Sequence, residues 1–108
     1  AASAPTYIVF GDYIFDPKQG KLLRHGEHIP LTGSEITILG MLSEHLGQPV
    51  SRSDLAASLP GTANERSMDV QITRLRRKIE ETEGKPVHLQ TVRGAGYVLY
   101  GMRKEMAS

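Results

Sequence analysis

The chain has 108 residues, 39% hydrophobic and 23% charged, with a formal net charge of +1 and no cysteine. This length suits one domain with a modest core and leaves no comfortable room for two. Without disulfides the fold must hold by packing alone, which fits a reducing, cytoplasmic compartment. The longest nearly apolar run, Ile36 to Leu42, is broken by Thr37 and Gly40 and is too short to span a bilayer, and no basic-plus-apolar leader opens the sequence.

The charge is segregated along the chain. Residues 1–60 hold four Lys/Arg against six Asp/Glu, whereas residues 61–108 hold nine against six. Between Arg66 and Lys78 five basic residues stand against one acid, Asp69, so a local basic surface is expected despite the near-neutral total. Residues 1–6 and 102–108 read as a flexible N-terminal edge and a C-terminal tail, leaving a domain over 7–101.

The first segment of that domain, 7–30, is strand-like. Tyr7-Ile8-Val9-Phe10, Asp12-Tyr13-Ile14-Phe15, Lys21-Leu22-Leu23-Arg24 and Glu27-His28-Ile29 are β-prone runs separated by Gly11, by Asp16-Pro17-Lys18-Gln19-Gly20 and by a tight His25-Gly26 turn. They predict a small antiparallel meander. At Leu31 the period becomes helical, and residues 31–83 predict three helices. Thr32-Gly33-Ser34-Glu35 is a capping box, and Ile36, Leu39, Leu42 and Leu46 follow at helical spacing until Gly47 and Pro49. Ser51 caps a second helix of about two turns, with Asp54 near its positive end and Leu55, Ala56 and Leu59 as its apolar residues, ending at Pro60-Gly61.

The third helix, expected over about 64–82, carries Met68, Ile72, Leu75 and Ile79 on one apolar face. At about 100° per residue, Arg66, Ser67, Val70, Arg74, Arg77 and Lys78 fall opposite it, with Gln71, Thr73 and Arg76 on the flanks. Glu80, Glu81 and Glu83 crowd the last turns, where acids oppose the helix dipole and add nothing to helix stability. The remaining segment, 87–101, predicts a hairpin: His88 to Val92, a turn at Gly94-Ala95-Gly96 with Arg93 at its neck, and Tyr97 to Tyr100.

Three helices ending in a basic-faced one, followed by an arginine-bearing hairpin, predict an α+β winged helix-turn-helix. This arrangement suits duplex DNA: a helix fills the major groove, and the hairpin reaches the neighbouring minor groove or backbone. The run Arg66-Ser67-Met68-Asp69-Val70-Gln71-Ile72-Thr73-Arg74-Leu75-Arg76-Arg77-Lys78-Ile79-Glu80, with Leu89-Gln90-Thr91-Val92-Arg93-Gly94-Ala95-Gly96-Tyr97, strongly resembles the effector domain of OmpR/PhoB-type bacterial response regulators. The resemblance covers roughly residues 7 to 101, including the Pro30-Leu31-Thr32-x-x-Glu35 entry to the first helix.

What the resemblance implies is a transcription factor module that binds direct-repeat sites in double-stranded DNA as a head-to-tail dimer, under control of a receiver domain that precedes it. By position it implies that Ser67, Val70, Arg74 and Arg76 approach base edges and that Arg93 enters the minor groove. It likewise assigns phosphates to Arg52, Arg66, Gln71, Thr73, Thr91 and Tyr97. Arg77, on the exposed stripe, is read as a further phosphate contact. Two departures from the family pattern stand out. The Leu59–Arg66 loop, a possible RNA polymerase contact, is short and has Pro60 where many members carry an aromatic phosphate contact. Thr73 replaces a common arginine, a loss that Arg77 or Lys78 would have to offset.

Simpler readings stand beside these. The basic stripe is also compatible with a solvated helix face, and a winged helix can serve as a protein-interaction module. Arg76 lies beside the apolar face, so a bridge from helix to core edge stands as its alternative role. Tyr97 can be a core aromatic, Thr91 a plain strand residue and Val70 an exposed valine. His25 and His28 straddle a turn with no cysteine nearby, which favours a surface hairpin over a metal pair. With no phosphate-binding loop, dinucleotide fingerprint or nucleophile elbow, neither an enzyme nor a cofactor is expected.

Overall fold

The computed structural model describes residues 6–59, 65–80 and 87–105, with backbone alone at Glu65 and Arg66. The meander forms as read: β1 (Thr6–Phe10), β2 (Tyr13–Asp16), β3 (Lys21–Arg24) and β4 (Glu27–Ile29) pair antiparallel in sequence order. The β3–β4 turn places both His25 and Gly26 at positive φ, 51° and 79°. These signs belong to the primed turns whose twist matches a two-residue hairpin. Alternation then sends Ile8, Phe10, Tyr13, Phe15 and Leu22 to the buried face.

One boundary is corrected. Met102 to Glu105 are not tail but β7 (Met102–Glu105), paired antiparallel with β1 from Val9↔Met102 to Thr6↔Glu105, so the sheet has five strands in the order β4-β3-β2-β1-β7. All four residues of β7 are exposed and polar except Met102, so no buried alternation marks them in sequence. Residues 1–5 and 106–108 lie outside the described residues.

Helix α1 (Gly33–Glu44) starts from the expected capping box: Thr32 Oγ1 accepts the Glu35 amide at 3.2 Å, and Glu35 Oε1 accepts the Thr32 amide at 2.8 Å. Its buried face is Ile38, Leu39 and Leu42, together with Glu35 and Ser43; Ile36 is only half-buried. The face is therefore rotated from the one read through Ile36, because Glu35 is drawn inside. Only 1% exposed, its carboxylate takes Lys78 Nζ at 2.6 Å, and the same amine donates to the Pro30 carbonyl at 2.8 Å. Burial alone would push the Glu35 carboxyl up, but the Lys78 bond and the capping bonds outweigh it and hold it below the ordinary carboxylate value.

Helix α2 (Arg52–Ala57) is capped by Ser51, whose hydroxyl accepts the Asp54 amide at 3.1 Å, and it buries Leu55 and Ala56. Helix α3 (Glu65–Ile79) lays Met68, Ile72, Leu75 and Ile79 into the common core, each 1% exposed or less. The wing is β5 (Leu89–Val92) against β6 (Gly96–Leu99), and β6 is also bridged to the α1–α2 connection: Val50 and Tyr97 exchange amide–carbonyl bonds of 2.7 and 2.9 Å. Gly96 sits at φ 132°, and a Cβ there would meet the Val50 carbonyl oxygen at 2.0 Å, so only glycine permits this bridge.

Two outcomes follow. Lys78→Met leaves a buried carboxylate without its cation and is expected to cost about 2–3 kcal/mol in urea unfolding at pH 7. Because the folded Glu35 carboxyl titrates below its unfolded value of about 4.3, this stability is present above that pH and lost as pH falls through the folded value; the gap between wild type and variant should narrow below about pH 4. Gly96→Ala should break the Val50–Tyr97 bridge and lower stability by about 2 kcal/mol or more, seen as a lower urea midpoint with an unchanged slope.

Candidate nucleic-acid interface

Helix α3 meets three surroundings at once. Its apolar stripe is buried, and on the opposite side Val70 (51% exposed), Arg74 and Arg77 face outward beside half-buried Ser67 and Gln71. The third surrounding is the wing. Asp69, Arg76 and Glu80, spaced by seven and four residues, fall within about 40° on a helical projection and line one seam.

Each acts on the hairpin. The Tyr97 hydroxyl donates to Asp69 Oδ1 in a short bond. Arg76 donates from Nε to the Leu89 carbonyl at 2.9 Å and from its terminal amine to Thr91 Oγ1 at 2.8 Å. Glu80, just past α3, accepts three successive amides, from Val87 in a short bond, from His88 at 2.7 Å and from Leu89 at 3.2 Å. Glu80 still opposes the helix dipole, but it has a role that its place in the helix did not announce: its carboxylate caps the amides that lead into β5. Glu81 and Glu83 lie outside the described residues.

The structure sorts the sequence candidates into those that face outward and those engaged internally. Arg74 and Arg93 are exposed, the latter at the wing turn. Arg52, at the start of α2, is exposed and holds Asp69 Oδ1 at 3.1 Å through Nε. With Ser51, Ser53, Thr91, Val92 and Arg93 it lines an open groove between α2 and the wing. Thr73 is exposed, its hydroxyl bonded to the Asp69 carbonyl at 2.8 Å. Arg66 lies in the first turn of α3, but its side chain, like residues 60–64, is outside the described residues.

Two candidates stand where the simpler readings put them. Arg76 bridges helix and wing, and its guanidinium carbon lies 5.7 Å from the centre of the Tyr97 ring. Tyr97 is 3% exposed, with Arg52 also 5.7 Å from its ring. Burial first, then the Asp69 carboxylate, pushes the phenol above its ordinary value despite Arg52, so it stays a neutral donor at pH 7. Lys78, counted in the basic stripe, is committed to Glu35 and Pro30. The residues that sequence reading missed are Asp69 and Glu80. Their spacing to Arg76 is the signal that marks them in sequence, and the stronger apolar and basic periods of the same helix mask it.

Across known proteins, residues 26–99 match the family of C-terminal domains of transcriptional regulatory proteins. The chain is 37% identical over 105 residues to the protein PetR of Rhodobacter capsulatus, covering 90% of the chain but 44% of PetR, so it spans under half the length of that relative. The DNA-binding domain of Klebsiella pneumoniae RstA, solved in complex with the RstA box, superposes with a TM-score of 0.74 at 33% identity, covering 87% of this chain and 96% of that one. The response regulator DrrB of Thermotoga maritima, an OmpR/PhoB homologue, superposes at 0.80 with 30% identity, over 88% of this chain and 44% of that one. With its four-stranded N-terminal meander extended by β7, three helices and hairpin wing, the chain belongs to the family of transcriptional-regulator C-terminal domains, of the OmpR/PhoB type.

Proposed function

We propose that this domain binds double-stranded DNA with sequence preference, as the output module of a cytoplasmic two-component response regulator. The observation that carries the reading is the outward face of α3, where Val70 and Arg74 stand exposed on a helix whose opposite side is locked into the core, with exposed Arg93 on the hairpin beside it. A rigid helix and wing held in fixed relation are what simultaneous major- and minor-groove contact requires. The RstA domain solved on its DNA box has the same fold at 33% identity, which supports the assignment.

Within this reading Arg74 and Val70 address base edges, arginine by its planar fork and valine by contact with a thymine methyl, with Ser67 at their edge. Arg93 enters the minor groove. Arg52, Arg66, Gln71, Thr73, Arg77 and Thr91 grip phosphates, whereas we assign Tyr97, buried and with its one hydroxyl proton given to Asp69, to the seam between helix and wing rather than to a phosphate. We assign Arg76 to holding the wing rather than to reading a base, because two of its donors are already spent on Leu89 and Thr91. A preceding receiver domain, head-to-tail pairing on direct repeats and an RNA polymerase contact through the Leu59–Arg66 segment complete the proposal. The share of PetR that the chain leaves uncovered is consistent with the first of these.

Selection of bound duplexes from a random pool at low salt tests the reading. Wild type should enrich one short motif, in tandem where the domain pairs; absence of enrichment would sink specific recognition and point to protein partners. Arg74→Ala should lose about 1–3 kcal/mol on the enriched motif and relax preference at one position. Arg77→Ala should weaken all duplexes alike and shallow the salt slope by about one unit, read from binding isotherms across ionic strength.

A further inference from the structure

Asp69 is an acid in the midst of the face offered to a polyanion. By charge alone it opposes DNA, and its side chain is 48% exposed, so screening by solvent is incomplete. Its bond from Tyr97 helps to hold the wing, but fold stability does not account for its pairing with Arg52. A half-exposed ion pair contributes little, and α2 and α3 both bury residues in the common core, Leu55 and Ala56 from one and Met68 and Ile72 from the other. What the carboxylate does is local and geometric: a single oxygen, Oδ1, accepts both Arg52 Nε at 3.1 Å and the Tyr97 hydroxyl.

Those two partners come from different elements. Arg52 opens α2, Tyr97 belongs to β6 of the wing, and Asp69 is on α3. The Arg52 and Arg76 guanidiniums each lie 5.7 Å from the Tyr97 ring centre, so the phenol is held from three directions. A guanidinium is a planar fork with its donors in fixed relation, so anchoring Nε fixes the orientation of the whole group. Arg52 also forms one wall of the groove whose other wall carries Thr91 and Arg93.

We propose that Asp69 is a positioning residue: through one oxygen it fixes Arg52 against the Tyr97 hydroxyl, and so sets the α2-to-wing geometry at which one DNA phosphate is gripped. The inference rests on the DNA-binding reading. It also differs in sign from simple electrostatics: removing a negative charge from a DNA-facing surface should tighten binding, whereas removing the anchor of Arg52 should loosen it. The spent ordering of a long, flexible arginine is recovered at binding as affinity, because its rotamers are already restricted in the free domain.

The test is affinity against salt for wild type, Asp69→Ala, Asp69→Asn, Arg52→Ala and the Asp69→Ala/Arg52→Ala double variant, on the duplex that wild type enriches. Asp69→Ala should weaken binding about tenfold and shallow the salt slope by about one unit, matching Arg52→Ala. Asp69→Asn keeps an oxygen acceptor in place and should recover most of the loss. In the Arg52→Ala background, Asp69→Ala should change affinity less than about twofold, the signature of acting through Arg52. Tighter or unchanged binding by Asp69→Ala overturns the proposal, as does an equal loss with Arg52 present or absent. If Asp69→Ala does not fold, the same cycle run with Asp69→Asn decides at smaller amplitude, about threefold for an anchor held without charge. Failure of wild type itself to bind duplex would remove the DNA-binding reading, and that result is distinct from all of these.

Discussion

Everything on the functional side of this domain depends on how fifteen residues of α3 divide their circumference. A helix has only about 3.6 residues per turn, so each stripe gained for one surrounding is taken from another. Met68, Ile72, Leu75 and Ile79 are buried to anchor the helix, and Asp69 and Arg76, with Glu80 just beyond the end, hold the wing. What remains for an external partner is a narrow strip around Val70, Arg74 and Arg77. The basic character of the sequence therefore overstates the charge on offer. Of the cations between Arg66 and Lys78, Arg76 is spent on the wing and Lys78 on Glu35.

The two internal uses of charge differ in kind. The Lys78–Glu35 pair is nearly buried and is braced by both capping bonds, so it ties the start of α1 to the end of α3 and the polar atoms at that junction satisfy one another. The Arg52–Asp69 pair is half open to water and contributes orientation more than stability. One oxygen serves two donors in each case. At Glu35 the result is a fixed core edge; at Asp69 it is a fixed outer surface.

Most of the architecture was legible in sequence because local signals agreed with tertiary fate. Alternation in Ile8, Phe10, Tyr13 and Phe15 and the α3 apolar period each name a burial that the structure shows, and the Thr32–Glu35 capping box and the Ser51 cap each name a helix start that it shows. The illegible parts share a physical cause: they are polar contacts between distant segments. Nothing local tells that Glu35 will be buried, since a capping glutamate normally faces solvent, and its burial turned the α1 face away from Ile36. Glu80 looked unfavourable because its partners, the amides of residues 87–89, come from another element. For the interface, exposure of Val70, Arg74 and Arg93 was readable from period and turn, whereas the commitment of Arg76 and Tyr97 required the wing to be in place.

The pairing of β7 with β1 has a mechanical consequence. Thr6 stands opposite Glu105, so the backbone enters and leaves the sheet at the same point, with the two strands antiparallel. A load applied across these two positions pulls perpendicular to the strands and opens their bonds one after another, rather than shearing all of them together. The first element to yield under tension is then β7, which buries no side chain and has one neighbour in the sheet, while β1 stays paired with β2 on its other side. A pull transmitted along the polypeptide thus meets a soft, sequential release at the far edge of the sheet before it reaches the helix that faces outward.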